Sequence, residues 1–278
     1  MSFYATREED TSTFLRNQKI GADQMNNFHT HTYRCKHAKG DVLDYIKMAR
    51  LKNVGELGFS DHTPLPDGWW QDVRMGMDEL EGYVNAVLEG RKQNPNMRIL
   101  LGLECDYSPD YVSFFQEIKQ RYQMDYLIGS IHAFPYEGES VGCFQEGKVF
   151  DYKMLKAYAE SFVKAMQTGI FTFMAHPDLF CLSLNGWNPE ALSVSAYILE
   201  AAKALDMPLE INCSGIKKSM DMGKFEIAYP KREFWELAAG FGVKGIVSSD
   251  AHTPESLTQN MDAGFYLQKE YQIEPFVL

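Results

Sequence analysis

A single α/β barrel, with seven parallel strands each followed by a helix, is the architecture this sequence predicts. Three observations carry that expectation. Strand-like apolar runs alternate with helix-like segments seven times along the chain, the pattern of parallel strands joined by crossover helices. The strand runs are largely continuous in apolar residues, as expected when both faces of a strand are covered. Nearly every run also ends in a polar cluster, such as His-Thr-His, Ser-Asp-His, Glu-Cys-Asp or Ser-Asp-Ala-His. Barrel enzymes place their chemistry at the C-terminal ends of the strands, whereas an open doubly wound sheet gathers it at one switch point. Polar ends on all seven runs favour closure.

Residues 1–25 are polar and aperiodic and read as an extension, so the barrel domain is expected over 26–278. The strand runs are 28–32, 54–62, 99–107, 126–134, 171–179, 209–215 and 245–252. Helical segments fall at 41–53, 78–93, 110–122, 152–168, 190–206 and 231–241. A last helix, 254–270, is announced by Thr253-Pro254-Glu255, an N-cap followed by Pro in the first turn. No linker, low-complexity tract or repeat divides the chain.

At 278 residues and 45% apolar content, the chain has the material for one large core. A formal charge of -11 disfavours electrostatic binding of nucleic acid. No apolar run approaches the roughly 20 residues that span a bilayer. The opening MSFYATREEDTSTF lacks the basic and apolar regions of a signal peptide. Five scattered cysteines suit free thiols in a reducing cytoplasm better than a disulfide framework. Nothing in the sequence specifies an oligomeric state.

The histidines carry the chemistry. All seven lie at strand ends or in the loop just after the first strand: His29, His31, His37, His62, His132, His176 and His252. His29 and His31 alternate along a strand, so both rings can reach one ion. Two carboxylates share the placement, Glu104 at the end of the third run and Asp250 two residues before His252. Imidazole with carboxylate suits Zn, Mn or Fe, and nine donors exceed the needs of one ion, so two or three divalent ions are expected. Asp61 reads as an acceptor for the free ring nitrogen of a ligating histidine, and Asp178 as a weaker case of the same. Asp106 and Tyr107 are candidates to face the pocket. Cys35 lies among the ligands without being read as one. Cations that could serve an anionic substrate are Arg74, Lys217 and Lys218, and Arg34, Lys36 and Lys39 around His37, each of which taken singly also reads as a solvated surface charge. Arg74 is preferred, because Trp69 and Trp70 beside it suggest a lid. No GxGxxG, P-loop or GxSxG motif supports a nucleotide-cofactor or serine-hydrolase reading.

These residues resemble the PHP (polymerase and histidinol phosphatase) family. His29-Thr30-His31, Asp61-His62, His132 and Asp250-Ala251-His252 match its four motifs. Glu104, His37 and His176 match further ligand positions, over about residues 26–270. HTHTYRCKHA, SDHTPLP, GLECDY and INCSGIKK look most like its stand-alone histidinol-phosphate phosphatases. The resemblance implies a distorted, TIM-like (β/α)7 barrel holding three ions: one on His29, His31, Glu104 and Asp250, a second on the bridging Glu104, His132 and His176, a third on His37, His62 and His252. It implies hydrolysis of L-histidinol phosphate to L-histidinol and phosphate in histidine biosynthesis. A metal-bridging hydroxide would attack phosphorus, with Asp250 as proton acceptor and Asp106 among the residues near the substrate. The alternatives are a nuclease or nucleotide phosphatase of the same family, disfavoured by the charge, and a non-catalytic metal-bound module.

Overall fold

The computed structural model describes residues 25–145, 147–224 and 226–278. In chain order the strands are β1 (Met25–Asn27), β2 (Val54–Phe59), β3 (Arg98–Asp106), β4 (Tyr126–Ser130), β5 (Ala133–Tyr136), β6 (Glu139–Gly142), β7 (Phe173–Met174), β8 (Leu209–Asn212), β9 (Lys244–Ser248) and β10 (Glu274–Pro275). β5 and β6 form a separate antiparallel hairpin, and the others make one parallel sheet in the order β1-β2-β3-β4-β7-β8-β9-β10. The helices are α1 (Val42–Leu51), α2 (Leu80–Gln93), α3 (Val112–Arg121), α4 (Tyr152–Gln167), α5 (Pro189–Ala204), α6 (Ser214–Asp221), α7 (Arg232–Phe241) and α8 (Met261–Glu270). The sheet is curled, consistent with a TIM-like barrel. Where its strands end, the two sides meet: Thr30 bridges Ala251, with His31 N donating to Ala251 O at 2.9 Å and Ala251 N to His29 O at 3.1 Å. At the opposite end β10 adds an eighth strand to β9.

Period two along the strands sorts side chains into two layers. Leu100, Tyr126, Ile128, Phe173, Ala175 and Ile246 pack inside the curl together with Phe28. Their neighbours Leu101, Leu103, Leu127, Met174 and Val247 face outward into the larger core shared with the helices. Tyr126 spans the interior, its hydroxyl 2.7 Å from Phe28 O and 3.1 Å from Phe59 O. Gly58 and Gly102 leave room for it: a Cβ on Gly102 would lie 2.6 Å from the Tyr126 ring.

Several elements differ from the sequence reading. The FHTHT run is not a strand; β1 ends at Asn27, and only Thr30 of that run makes a bridge. Residues 1–24 of the expected extension lie outside the described residues, and Met25 already belongs to β1. The β5–β6 hairpin is additional. Its turn, Glu137-Gly138, has φ of 51° and 86°, the left-handed pair that two-residue hairpins favour. The expected last helix is split: Thr253 caps a 3₁₀ turn, Pro254–Thr258, and Gln259 is extended before α8 begins. α6 is a further helix that the sequence pattern does not predict. The five cysteines are free and buried. Among the described residues no helix is long and apolar enough to cross a membrane.

The packing of Tyr126 is testable. Gly102→Ala overfills the interior and is expected to lower folding stability by about 1–3 kcal/mol. Urea unfolding reads this directly, and an unchanged midpoint would show that the ring has room to move.

Candidate metal centre

On β3, Leu100, Gly102, Glu104 and Asp106 share the inward face, so the alternation that buries Leu100 carries Glu104 to the same side higher up. Tyr126, Ile128 and Ser130 run the same way on β4, and His132 follows. On β7 strict alternation would send His176 outward with Met174. His176 instead has φ 29°, which breaks the strand and turns its ring inward; Asp250, at the end of β9, has φ 49°. Left-handed backbone at two non-glycine residues costs about 1–3 kcal/mol each and is characteristic of sites whose surroundings enforce it.

The nine residues singled out by the sequence form one contiguous cluster. Glu104 is 1% exposed and lies at its centre. Its Oε2 is 3.3 Å from His29 Nε2, 3.6 Å from His31 Nε2 and 3.0 Å from His62 Nδ1. Its Oε1 is 3.5 Å from His132 Nε2 and 3.2 Å from His176 Nε2. Asp250 Oδ1 stands 3.0 Å from His31 Nε2 and 3.5 Å from His29 Nε2. Two pairs of ring nitrogens face each other, His132 and His176 at 3.2 Å and His37 and His252 at 3.0 Å. His62 groups its donor atoms with His31 and His252, and separately with Glu104 and His132.

The electrostatics are those of a compact charged cluster. Burial opposes ionisation of Glu104, but His132, His29 and His62 outweigh it and hold its carboxyl well below the usual range. Asp250 is likewise held low, against burial, chiefly by His29 and His31. Burial acts to lower His29, yet Glu210, Asp250 and Glu104 raise it well above its ordinary value. His62 moves the other way, pushed down to about 4 mainly by burial. Buried donor atoms are also left without hydrogen-bond partners: His29 Nε2, both nitrogens of His31, His62 Nδ1 and Asp250 Oδ1. Each orphan of this kind costs about 1–3 kcal/mol. A divalent ion would satisfy several at once, and imidazole with carboxylate is the donor set that Zn, Mn and Fe accept.

Beneath the cluster lies a layer that orients it. Asp61 takes Thr32 N at 3.0 Å and His62 N at 2.9 Å, with His31 Nδ1 at 3.6 Å. Glu210, on the inward face of β8, is a member of the site that no motif in the sequence marks. It is 0% exposed and accepts from His29 Nδ1 at 2.7 Å, His176 N at 3.1 Å and Asn212 Nδ2 at 2.9 Å. A glutamate inside the apolar LEIN strand was the available signal. Asp178, expected to accept from a histidine ring, has no such bond among the described residues; it accepts from Lys231 N, and burial raises its pKa to about 7.

Two expected substrate contacts are placed elsewhere. Asp106 is 6% exposed, with one oxygen 2.8 Å from His132 Nδ1 and the other 2.8 Å from Arg74 Nη2. Arg74 is 1% exposed and also donates to Thr63 O at 2.9 Å. The pair supports His132 from below, and neither residue lines the cavity over the cluster. Trp69 and Trp70 stack on each other at 4.0 Å, and they too stand outside it. The buried Asp106 carboxylate, needing a counter-ion, draws Arg74 inward. Of the other cations, Arg34 pairs with Asp41 and Lys36 with Glu79. The cavity is about 330 Å³. Lys217 and Lys218 do line it, together with Ser214, Phe144, Tyr229 and the upper histidines. Lys217 is paired with Asp221. Cys35 is fully buried, and its carbonyl orients His37 through Nδ1 at 2.7 Å.

Two substitutions test this layer. Glu210→Gln is expected to weaken zinc binding by about 10–100-fold, the usual effect of disturbing a ligand's supporting carboxylate. Titration against a chelator measures it, and wild-type affinity would remove Glu210 from the site. Arg74→Ala leaves Asp106 buried without its cation and should cost about 3–5 kcal/mol of stability by chemical unfolding. A stable variant defective only in substrate binding would restore Arg74 to the pocket.

Comparison with known proteins bears on the family and the fold. A probable histidinol-phosphatase of Deinococcus radiodurans is 27% identical over 232 residues, covering 81% of this chain and 85% of its own. A crystal structure from Listeria monocytogenes superposes with a TM-score of 0.74 at 20% identity, over 86% of this chain and 99% of that one. Histidinol phosphate phosphatase from Lactococcus lactis, solved with zinc, L-histidinol and phosphate, gives a TM-score of 0.72 at 13% identity, over 91% and 95%. These two structural likenesses concern the fold. Residues 27–214 match the PHP domain, and on that match this chain belongs to the PHP domain family.

Proposed function

We propose that this chain is a metal-dependent phosphomonoesterase that hydrolyses L-histidinol phosphate to L-histidinol and phosphate, as a step of histidine biosynthesis in the cytoplasm. The supporting observation is Glu104, whose two oxygens each face a different set of histidines at the floor of an open cavity. We take residues 26–278 as one domain, a distorted seven-stranded barrel with β10 as an addition.

Two to three divalent ions fit the donors, with zinc, manganese and iron all suited to them. His29, His31, Glu104 and Asp250 would hold one; Glu104, His132 and His176 a second; and His37 with His252 a third, His62 standing between it and Glu104. Such ions would bring the pKa of an attacking water toward neutrality and offset charge on the phosphate. The chain's own groups do the rest. Asp250 reaches the cavity and is placed to accept the proton of the attacking water. Glu104 keeps the two halves of the donor set in register. Lys218 lines the cavity and makes no ion pair among the described residues, and although desolvation lowers its pKa against the pull of Asp250 and Asp221, it offers its ammonium to a phosphate oxygen. The small cavity and the -11 charge fit a small phosphate ester better than a nucleic acid.

The deciding experiment compares histidinol phosphate with p-nitrophenyl phosphate, a nucleoside monophosphate and short single-stranded DNA, using metal-replete protein. Histidinol phosphate is expected to lead in kcat/KM by at least about 100-fold, roughly 2.7 kcal/mol. Faster processing of DNA or the nucleotide would replace this reading with a nuclease or nucleotide phosphatase. No turnover of any ester by protein that binds metal would leave a non-catalytic module. Asp250→Asn should lower kcat far more than it raises KM; a variant changed only in KM would deny Asp250 the proton.

A further inference from the structure

The hairpin of β5 and β6 begins one residue after His132 and returns to it. Cys143 N donates to His132 O at 2.8 Å, so the residue that follows, Phe144, is held against the metal cluster by the backbone that carries one of its histidines. The Phe144 ring lies 5.8 Å from the His132 ring, tilted by 30°. Lys218 Nζ sits over the Phe144 ring, 4.1 Å from its centroid. Phe144 and Tyr229 are the carbocyclic rings among the described residues lining the cavity. Tyr229 is 2% exposed and set edge-on to His176, whereas Phe144 is 38% exposed. Phe144 is therefore the aromatic face open to a ligand.

We propose that Phe144 is a specificity-determining residue: the wall on which the flat, nitrogen-containing ring at the far end of the phosphate ester packs. This rests on the histidinol phosphate reading above. The geometry suits it in two ways. Phe144 stands beside the cluster, so an ester whose phosphate reaches the cluster can lay its other end on the ring. Lys218 also shows that this face accepts a cation, and a phosphate in the cavity offers Lys218 a stronger, charge-assisted partner. Moving to that partner, Lys218 uncovers the ring for an imidazole, which as a ring or as a cation is attracted to an aromatic face.

The test is selectivity between histidinol phosphate and O-phosphoethanolamine, which keeps the phosphate and the ammonium and lacks the ring. The wild type is expected to favour histidinol phosphate strongly. Phe144→Leu should reduce the ratio of kcat/KM values about tenfold, mainly by raising KM for histidinol phosphate, and Phe144→Tyr should retain most of it. A wild-type preference that survives intact in Phe144→Leu overturns this proposal alone. A loss confined to kcat, or an equal loss on both substrates, overturns it as well, because it marks Phe144 as a support for His132. A wild type with no preference for histidinol phosphate removes the functional reading and the proposal together, so the two failures are separable.

Discussion

A single carboxylate, nearly inaccessible to water, faces five imidazoles: Glu104 with His29, His31, His62, His132 and His176. So dense a group of titratable side chains is tolerable inside a protein only when its charges balance and its donors are met. Much of the surrounding structure can be read as meeting that demand. Glu210 receives the far nitrogen of His29, Asp106 that of His132, and the carbonyls of Cys35 and Asp250 those of His37 and His252. Each such bond leaves the other nitrogen of its ring facing inward.

The second ring of contacts links the cluster to the barrel. Glu210 joins the ring of His29 to the backbone of His176, and Asn212 extends the link to Asp250 at 3.2 Å. Asp106 joins His132 to Arg74. The strand ends bearing His29, His31 and Asp250 are themselves tied by the Thr30–Ala251 bridge. Joining the sides of the sheet and assembling the site are thus one set of hydrogen bonds, which accounts for strained backbone at His176 and Asp250 persisting there. The hairpin after β4 is a different kind of addition: it leaves the strand layers intact and changes only what overhangs the cavity.

The sequence by itself determined the parallel α/β alternation and the identity of the nine clustered residues. Both follow from rules that act along the chain: apolar runs make covered strands, and side chains at strand ends converge when the strands are parallel. Tertiary structure decided what depends on partners distant in sequence. Arg74 reads as a lid cation until Asp106, at the end of β3, is seen to need it. Glu210 draws no notice within an apolar strand until His29 and His176 arrive beside it. The inward turn of His176 contradicts the alternation of its own strand and is imposed by its surroundings. A buried charge takes its role from what folding brings within about 3 Å of it, and local pattern carries no record of that distance.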